Sequence, residues 1–397
     1  MTLPLFPVTT VGSWPRPQEL LRAFSLKHRR ELDRREFDQV ADRAVIAALR
    51  AQEQAGADLV TDGEQRRDNF YSFVADKLEG VQMMTLSEML DVVEDKRGFA
   101  RLLATLDVPA FSIRNPTCVG PIRRREPLAL DDFEFLRRHT DRPIKVTLPG
   151  PYLLTRAMWV KEVSRAVYPT KEDLGEDVVG ILRQEIVELR QAGVAFIQLD
   201  EPVLTELVFT QGNTRTFMCA ALAARKDPAE ELAFAVSLIN RVVNEDASAR
   251  TADSGSILGL HVCRGNWSRD ETTLLRGSYH PLTPYFRQLT VDQLVLEYAT
   301  PRAGDFVPVD GKSIGLGVVN PRSPQVESPQ AIVDRVTTVL RHVPAAKVFL
   351  NPDCGFATFT SRAMNSAEVA KEKIAAMAAA AAILRDSGLG ARDSGRI

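Results

Sequence analysis

The sequence predicts an α/β fold, a closed (β/α)8 TIM barrel with insertions over its C-terminal face, on three observations. Continuous apolar runs alternate with amphipathic helical stretches, the pattern of a parallel sheet covered by helices. Eight such runs lie near residues 8, 58, 144, 195, 257, 293, 313 and 347, and eight units favour closure over an open sheet. The runs end in polar, acidic or sulfur-bearing residues, which is where a barrel carries its chemistry.

In chain order, Val8 to Ser13 is a short strand closed by Gly12, Pro15 and Pro17. A helix over about 33–56, with Gly56 as its C-terminal stop, leads to the strand and turn from Ala57 to Glu64. Residues 70–125 break the rhythm and read as an insertion over the barrel mouth, with a possible short helix near Leu86–Val93. Helix 130–138, strand 144–148 and a long helix 172–192 lead to the run ending Leu199-Asp200-Glu201-Pro202. A second insertion at about 203–227 precedes helix 228–244. Strands at 257, 293 and 313, helix 328–343, strand 347–351 and helix 366–387 complete the set, with Asn365 and Glu368 at capping-box spacing. No repeat, linker or low-complexity stretch divides the chain, so one domain over residues 1–397 is expected.

Composition excludes several classes. Lys+Arg 50 against Asp+Glu 52 leaves a net charge of −2, so neither nucleic acid nor an anionic membrane surface is implied as partner. No apolar run approaches the ~20 residues of a membrane span. No signal peptide is visible. Cys118, Cys219, Cys263 and Cys354 are too few for a disulfide scaffold. A reducing cytoplasm fits, where such cysteines more often bind metal or catalyse.

The apolar run from Ile257 to Gly265 ends in a histidine, His261, a cysteine, Cys263, and a glycine. In an extended strand the side chains at i and i+2 share a face, so His261 and Cys263 project together. Two later runs end in Glu297 and Cys354, completing one nitrogen, two sulfurs and one oxygen. Any one of these residues alone reads as packing. As a set they suit Zn2+, and a Glu inside a Leu-Val-Leu run is expensive to bury unpaired. Zinc with thiolate ligands can bind and ionise an incoming thiol. Glu297, as the hard oxygen in a soft set, is the ligand expected to be displaced. The implied reaction class is alkyl transfer to sulfur.

Glu64 and Asp200 can accept hydrogen bonds from a substrate ammonium while Ser13 and nearby backbone hold a carboxylate, which describes an amino-acid pocket. Asp62 and Glu201 read at least as well as helix caps or as partners of Arg66, Arg67 or Arg156. Arg123-Arg124-Arg125 reads as a solvated loop, and Trp159 as a half-buried structural residue.

These residues resemble the catalytic barrel of cobalamin-independent methionine synthase. The motifs that carry the likeness are Thr10-Val11-Gly12-Ser13, Thr61-Asp62-Gly63-Glu64, Leu199-Asp200-Glu201-Pro202, His261-Val262-Cys263, Leu296-Glu297 and Asn351-Pro352-Asp353-Cys354-Gly355. They stand in the family's order across nearly the whole chain. The resemblance implies a zinc-dependent S-methyltransferase of methionine biosynthesis, with zinc held by His261, Cys263, Glu297 and Cys354 and homocysteine held by Ser13, Glu64 and Asp200. Asp200 and Glu297 are the expected catalytic residues.

Two departures concern the methyl donor. The chain looks like the short, single-barrel branch, without the second barrel that helps bind folate polyglutamate. Val319 also stands where full-length members place a proton-shuttling histidine. A folate amine leaves poorly unless protonated. The expected donor is therefore not polyglutamylated methyltetrahydrofolate but methylcobalamin or a methyl-corrinoid protein. The rival readings are alkyl transfer to another thiol such as coenzyme M, a metal-free barrel resembling uroporphyrinogen decarboxylase that would use Arg123–Arg125, and a binding protein with structural zinc.

Overall fold

The computed structural model describes residues 3–85, 88, 96, 114–209, 227–244, 255–266, 268, 271–360 and 363–388. Six parallel strands pair in sequence order: β3 (Lys145–Pro149), β4 (Phe196–Asp200), β5 (Ile257–Val262), β6 (Gln293–Leu296), β7 (Ser313–Val319) and β8 (Val348–Pro352). Two very short strands close the ring, β1 at Val8 and Thr9 and β2 at Leu59 and Val60. Val8 bridges Leu350, Thr9 bridges Leu59 and Val60 bridges Ile144, all parallel. The expected barrel is thus formed. Strand β1 is short partly because its first amide is diverted: Val8 N–H donates to Asp58 Oδ2 at 2.9 Å, and Arg385 holds the same oxygen.

Five of the longer helices begin where a side chain satisfies their first amides. Asp33 and Glu36 make a reciprocal capping box for helix Arg34–Gln54, and Gly56 ends it at φ +88°. Thr170 and Asp173 do the same for Lys171–Gln191, and Asp227 and Ser328 cap the helices Pro228–Val243 and Pro329–Val339. The C-terminal helix Ala367–Asp386 corrects the expected cap. Ser366 Oγ, not Asn365, accepts from Val369 N–H, because the Asn365 amide is engaged with the carbonyls of Pro321 and Ser323. Among the described residues, no helix is long and apolar enough to cross a membrane.

Inside the barrel, Val11, Leu59, Phe196, Val295 and Phe349 pack as one cluster. Gly259 is required there, since a Cβ would lie 2.6 Å from the Phe196 ring. Lys145 is buried beside them, its ammonium 5.0 Å from that ring and donating to Thr10 O. Burial pushes this amine down to about 7, against the pull of Asp200 and Glu64. Such a packed interior leaves chemistry to the strand ends.

The described part of the first insertion is an antiparallel pair, Leu78–Thr85 with Arg114–Arg124. It leans on the helices after β3: Asn115 Nδ2 donates to Ala157 O, and Ser164 Oγ donates to Cys118 O. Arg124 corrects the solvated-loop expectation. Its buried side chain bridges Glu185, at 2.9 Å, and Glu188 on helix Lys171–Gln191, so it is committed to packing. Trp159 is structural as expected, donating to Tyr168 O. The short helix expected near Leu86–Val93 lies outside the described residues. So does most of the second insertion, beyond helix Val203–Phe209.

Candidate metal centre and amino-acid pocket

Parallel register aligns Asp200 at the end of β4 with His261 on β5. His261 Nδ1 consequently donates to Asp200 Oδ1 at 2.9 Å, an oxygen also held by Gln198 Nε2. The bond fixes the ring and leaves buried Nε2 with no oxygen or nitrogen acceptor. A histidine so oriented by a carboxylate is prepared to ligate through its other nitrogen. Donor atoms of His261, Cys263 and Cys354 all lie within 4.8 Å of one another, and all three residues are buried. One imidazole and two thiols at this spacing fit a soft divalent ion such as zinc.

Electrostatics support that fit. The Cys354 thiol donates to Cys263, and with His261 alongside this outweighs burial and brings Cys263 down to about 6. Cys354, as the donor, is pushed well above its ordinary range. Burial would lower His261, but Cys263 and Asp200 hold its proton and raise it to about 10. Three buried donors thus share protons that a cation would replace.

Glu297 stands outside that group of three. Burial works against its charge, but Arg302, Arg322 and Arg264 outweigh it and keep the carboxylate ionised. Arg302 Nη2 donates to Oε2 at 3.0 Å, while Oε1 is buried without a hydrogen bond. The expected cost of burying this glutamate is met by arginines.

A cleft of about 480 Å³, partly open to solvent, adjoins the three donors and is also lined by Ser13, Glu64 and Asp200. Glu64 sits in the left-handed region at φ +54°, a strained conformation that needs support. Arg16 provides it, donating to the carbonyls of Glu64, Arg67 and Ala357 and so tying together the loops after β1, β2 and β8. Glu64 Oε1 accepts from Thr147 Oγ1 at 2.9 Å, while Oε2 is buried and unpartnered. Burial raises this carboxyl to about 7, with Arg67 opposing and Asp200 and Asp62 adding. An incoming ammonium would satisfy the free oxygen. Gly355 lets Ser13 approach, since a Cβ there would fall 2.1 Å from Ser13 Oγ.

Other acids at the strand ends do different work. Glu201 caps helix Pro151–Met158 through Tyr152 N–H and Leu153 N–H. Asp62 Oδ1 accepts from Glu64 N–H, and Asp353 Oδ1 accepts from Tyr298 and Ala299 N–H. Sequence reasoning missed Arg16, Thr147, Arg264, Arg302 and Arg322. Of these Arg264 stands one residue after Cys263 and Arg302 five after Glu297, while Arg16, Thr147 and Arg322 act on residues distant in sequence.

The chain is similar to known proteins over most of its length. The family described as "Cobalamin-independent synthase, Catalytic domain" matches residues 6–382. The chain belongs to that family. Among curated relatives, the methionine synthase of Saccharolobus solfataricus is 29% identical over 390 residues, 97% of this chain and 96% of its own. The methionine synthase of Thermococcus kodakarensis is 29% identical over 359 residues, covering 89% and 88%. A solved B12-independent methionine synthase from Shewanella sp. W3-18-1, in complex with selenomethionine, superposes with TM-score 0.70 at 23% identity, covering 97% of this chain and 99% of that one. That likeness supports the TIM-barrel fold.

Proposed function

We propose that this protein is a zinc-dependent methyltransferase that moves a methyl group to the sulfur of homocysteine, giving methionine. The observation that carries the reading is the convergence of His261, Cys263 and Cys354 beside a cleft lined by Glu64, Asp200 and Ser13. The full-length match to curated methionine synthases supports it. Zinc, held by His261, Cys263 and Cys354 with Glu297 as the exchangeable fourth donor, would supply Lewis-acid ionisation of the substrate thiol. Asp200 orients the His261 ring. Glu64 offers its unpartnered oxygen to the ammonium, and Ser13 holds the substrate carboxylate. An ammonium-binding acid wall favours homocysteine over a sulfonate thiol such as coenzyme M, which has no ammonium.

For the donor we favour a methylcobalamin or methyl-corrinoid protein over polyglutamylated methyltetrahydrofolate. Val319 is buried and apolar at the end of β7 and can donate no proton. Among the described residues lining the cleft there is no Lys or Arg to meet a polyglutamate tail. The test is zinc quantification followed by turnover of homocysteine with each donor. One zinc per chain and methylation from the corrinoid are expected. Robust turnover with the folate alone would reject the donor assignment, and a metal-free active protein would reject the whole reading.

A further inference from the structure

Glu297 ends β6 among three buried guanidinium groups. Arg302 Nη2 lies 3.0 Å and Arg264 Nη1 3.6 Å from Oε2, and Arg322 Nη1 lies 3.9 Å from Oε1. Their relative exposures are 5%, 0% and 3%. Burying a guanidinium is costly, and a metal would itself supply the positive charge a ligating glutamate needs. Arg322 is shared with Glu271 and Asp353, but Arg264 and Arg302 take Glu297 as their carboxylate partner, and two buried guanidiniums on a carboxylate that a metal could neutralise ask for a further reason.

Their positions are set by groups other than the Glu297 carboxylate, although Arg264 Nη1 also donates to the Glu297 main-chain carbonyl. Arg264 donates to the carbonyls of Gly277 and Ala303 and stacks 3.8 Å from the Tyr279 ring. Arg302 Nη1 donates to Leu275 O, and Arg322 Nε donates to Glu271 Oε1. The guanidiniums would remain in place if the carboxylate moved. The carboxylate has a free oxygen with which to move, Oε1.

We propose that Arg302, backed by Arg264 and Arg322, is a berth that receives the Glu297 carboxylate when a substrate thiol takes its place at the metal. Arg302 is then a positioning residue for thiol binding. The inference rests on the zinc and thiol reading above. Two protein thiolates and a substrate thiolate already exceed the charge of a divalent ion, so a carboxylate released from that ion would be left without a countercharge. In a dry site an unmet charge opposes the exchange. A charge-assisted bond from Arg302 meets it.

The test uses the zinc-loaded full chain. Zinc affinity is read by chelator competition and homocysteine affinity by titration. Losing a bond to a charged group is worth roughly tenfold, so Arg302→Gln should tighten zinc binding by about that factor and weaken homocysteine binding similarly. In a Glu297→Gln background the same change should do neither, because the carboxamide has no charge to park. Arg302→Lys, which keeps the charge and is the milder change for folding, should shift both affinities in the same directions by roughly threefold. A merely structural role predicts looser zinc, and that result, or no shift in either variant, overturns the berth. Cys354→Ser in the same assay keeps the two readings apart. If it sheds zinc while the Arg302 variants are silent, the berth falls and the metal reading stands. If the unmodified chain binds no zinc, both fall.

Discussion

The two walls of the cleft are built by different means. The soft wall comes from strand ends: His261 lies on β5 and Cys354 two residues past β8, and closure of the barrel brings these ends to one mouth. The acid wall draws Ser13 and Glu64 from the loops after β1 and β2, where parallel pairing is limited to isolated bridges. There the geometry depends on the Arg16 clamp, the close approaches at Gly12 and Gly355, and a strained Glu64 backbone. The soft donors are thus placed by continuously paired strands, and the acids by contacts that a single substitution can loosen. Asp200 belongs to both walls, lining the cleft and holding His261.

The largest effect should come from the soft wall. Cys354→Ser should lower zinc affinity by more than the roughly 100-fold that removing an orienting partner can cost. Activity should be lost while far-UV circular dichroism is unchanged, because the side chain lies past the end of β8. Full zinc occupancy in this variant would remove Cys354 from the donor set. Asp200→Asn comes next, and here the structure changes what the sequence suggested. Read from the sequence, Asp200 serves the substrate ammonium, but its Oδ1 also fixes His261. Zinc affinity should therefore also fall, by roughly 10-fold or more, and chelator competition would show a value equal to the parent's if the His261 contact carries no weight.

Glu64→Gln isolates the acid wall. It should raise the KM for homocysteine roughly 10- to 100-fold, the worth of a hydrogen bond to a charged group, and leave zinc content intact. The pH profile sharpens this. Glu64 is raised from its ordinary 4.5 to about 7, so homocysteine affinity should climb as pH rises toward 7 and flatten above it, and the glutamine variant should lack the slope. Linkage runs the other way for folding. Between about 4.5 and 7 the folded chain keeps the Glu64 proton that the unfolded chain releases, so this group's contribution to stability declines as pH rises through that window. A KM independent of pH in the parent would exclude Glu64 as the ammonium partner.

The difference between the walls also explains what the sequence disclosed. Strand and helix periods made the (β/α)8 order legible, and the i, i+2 rule placed His261 beside Cys263, because both depend on local geometry. The cap of the last helix was misassigned to Asn365 because the carbonyls that claim its amide, Pro321 and Ser323, are distant in sequence. Arg124 read as a solvated loop for the same reason, its partners being Glu185 and Glu188. The arginines around Glu297 were implied only as a requirement that something positive be near. Which residues supply it depends on how the β5–β6, β6–β7 and β7–β8 connections fold back, and no short-range pattern encodes that.

The smallest expected effect separates two adjacent carboxylates. Asp200 and Glu201 are neighbours in sequence, yet one faces the cleft and the other turns to the start of helix Pro151–Met158. Gly150 makes room for that turn, since a Cβ there would lie 2.2 Å from Glu201 Oε1. Burial raises Glu201 to about 8, against the Tyr152 and Leu153 amides that favour its charged form. Glu201→Gln keeps one acceptor oxygen and presents an N–H₂ to the other amide, so it should cost about 1–2 kcal/mol of unfolding free energy. Zinc content and the KM for homocysteine should match the parent. A shift in either would mean that the cap transmits to the metal through Asp200, and the two walls could no longer be treated as separable.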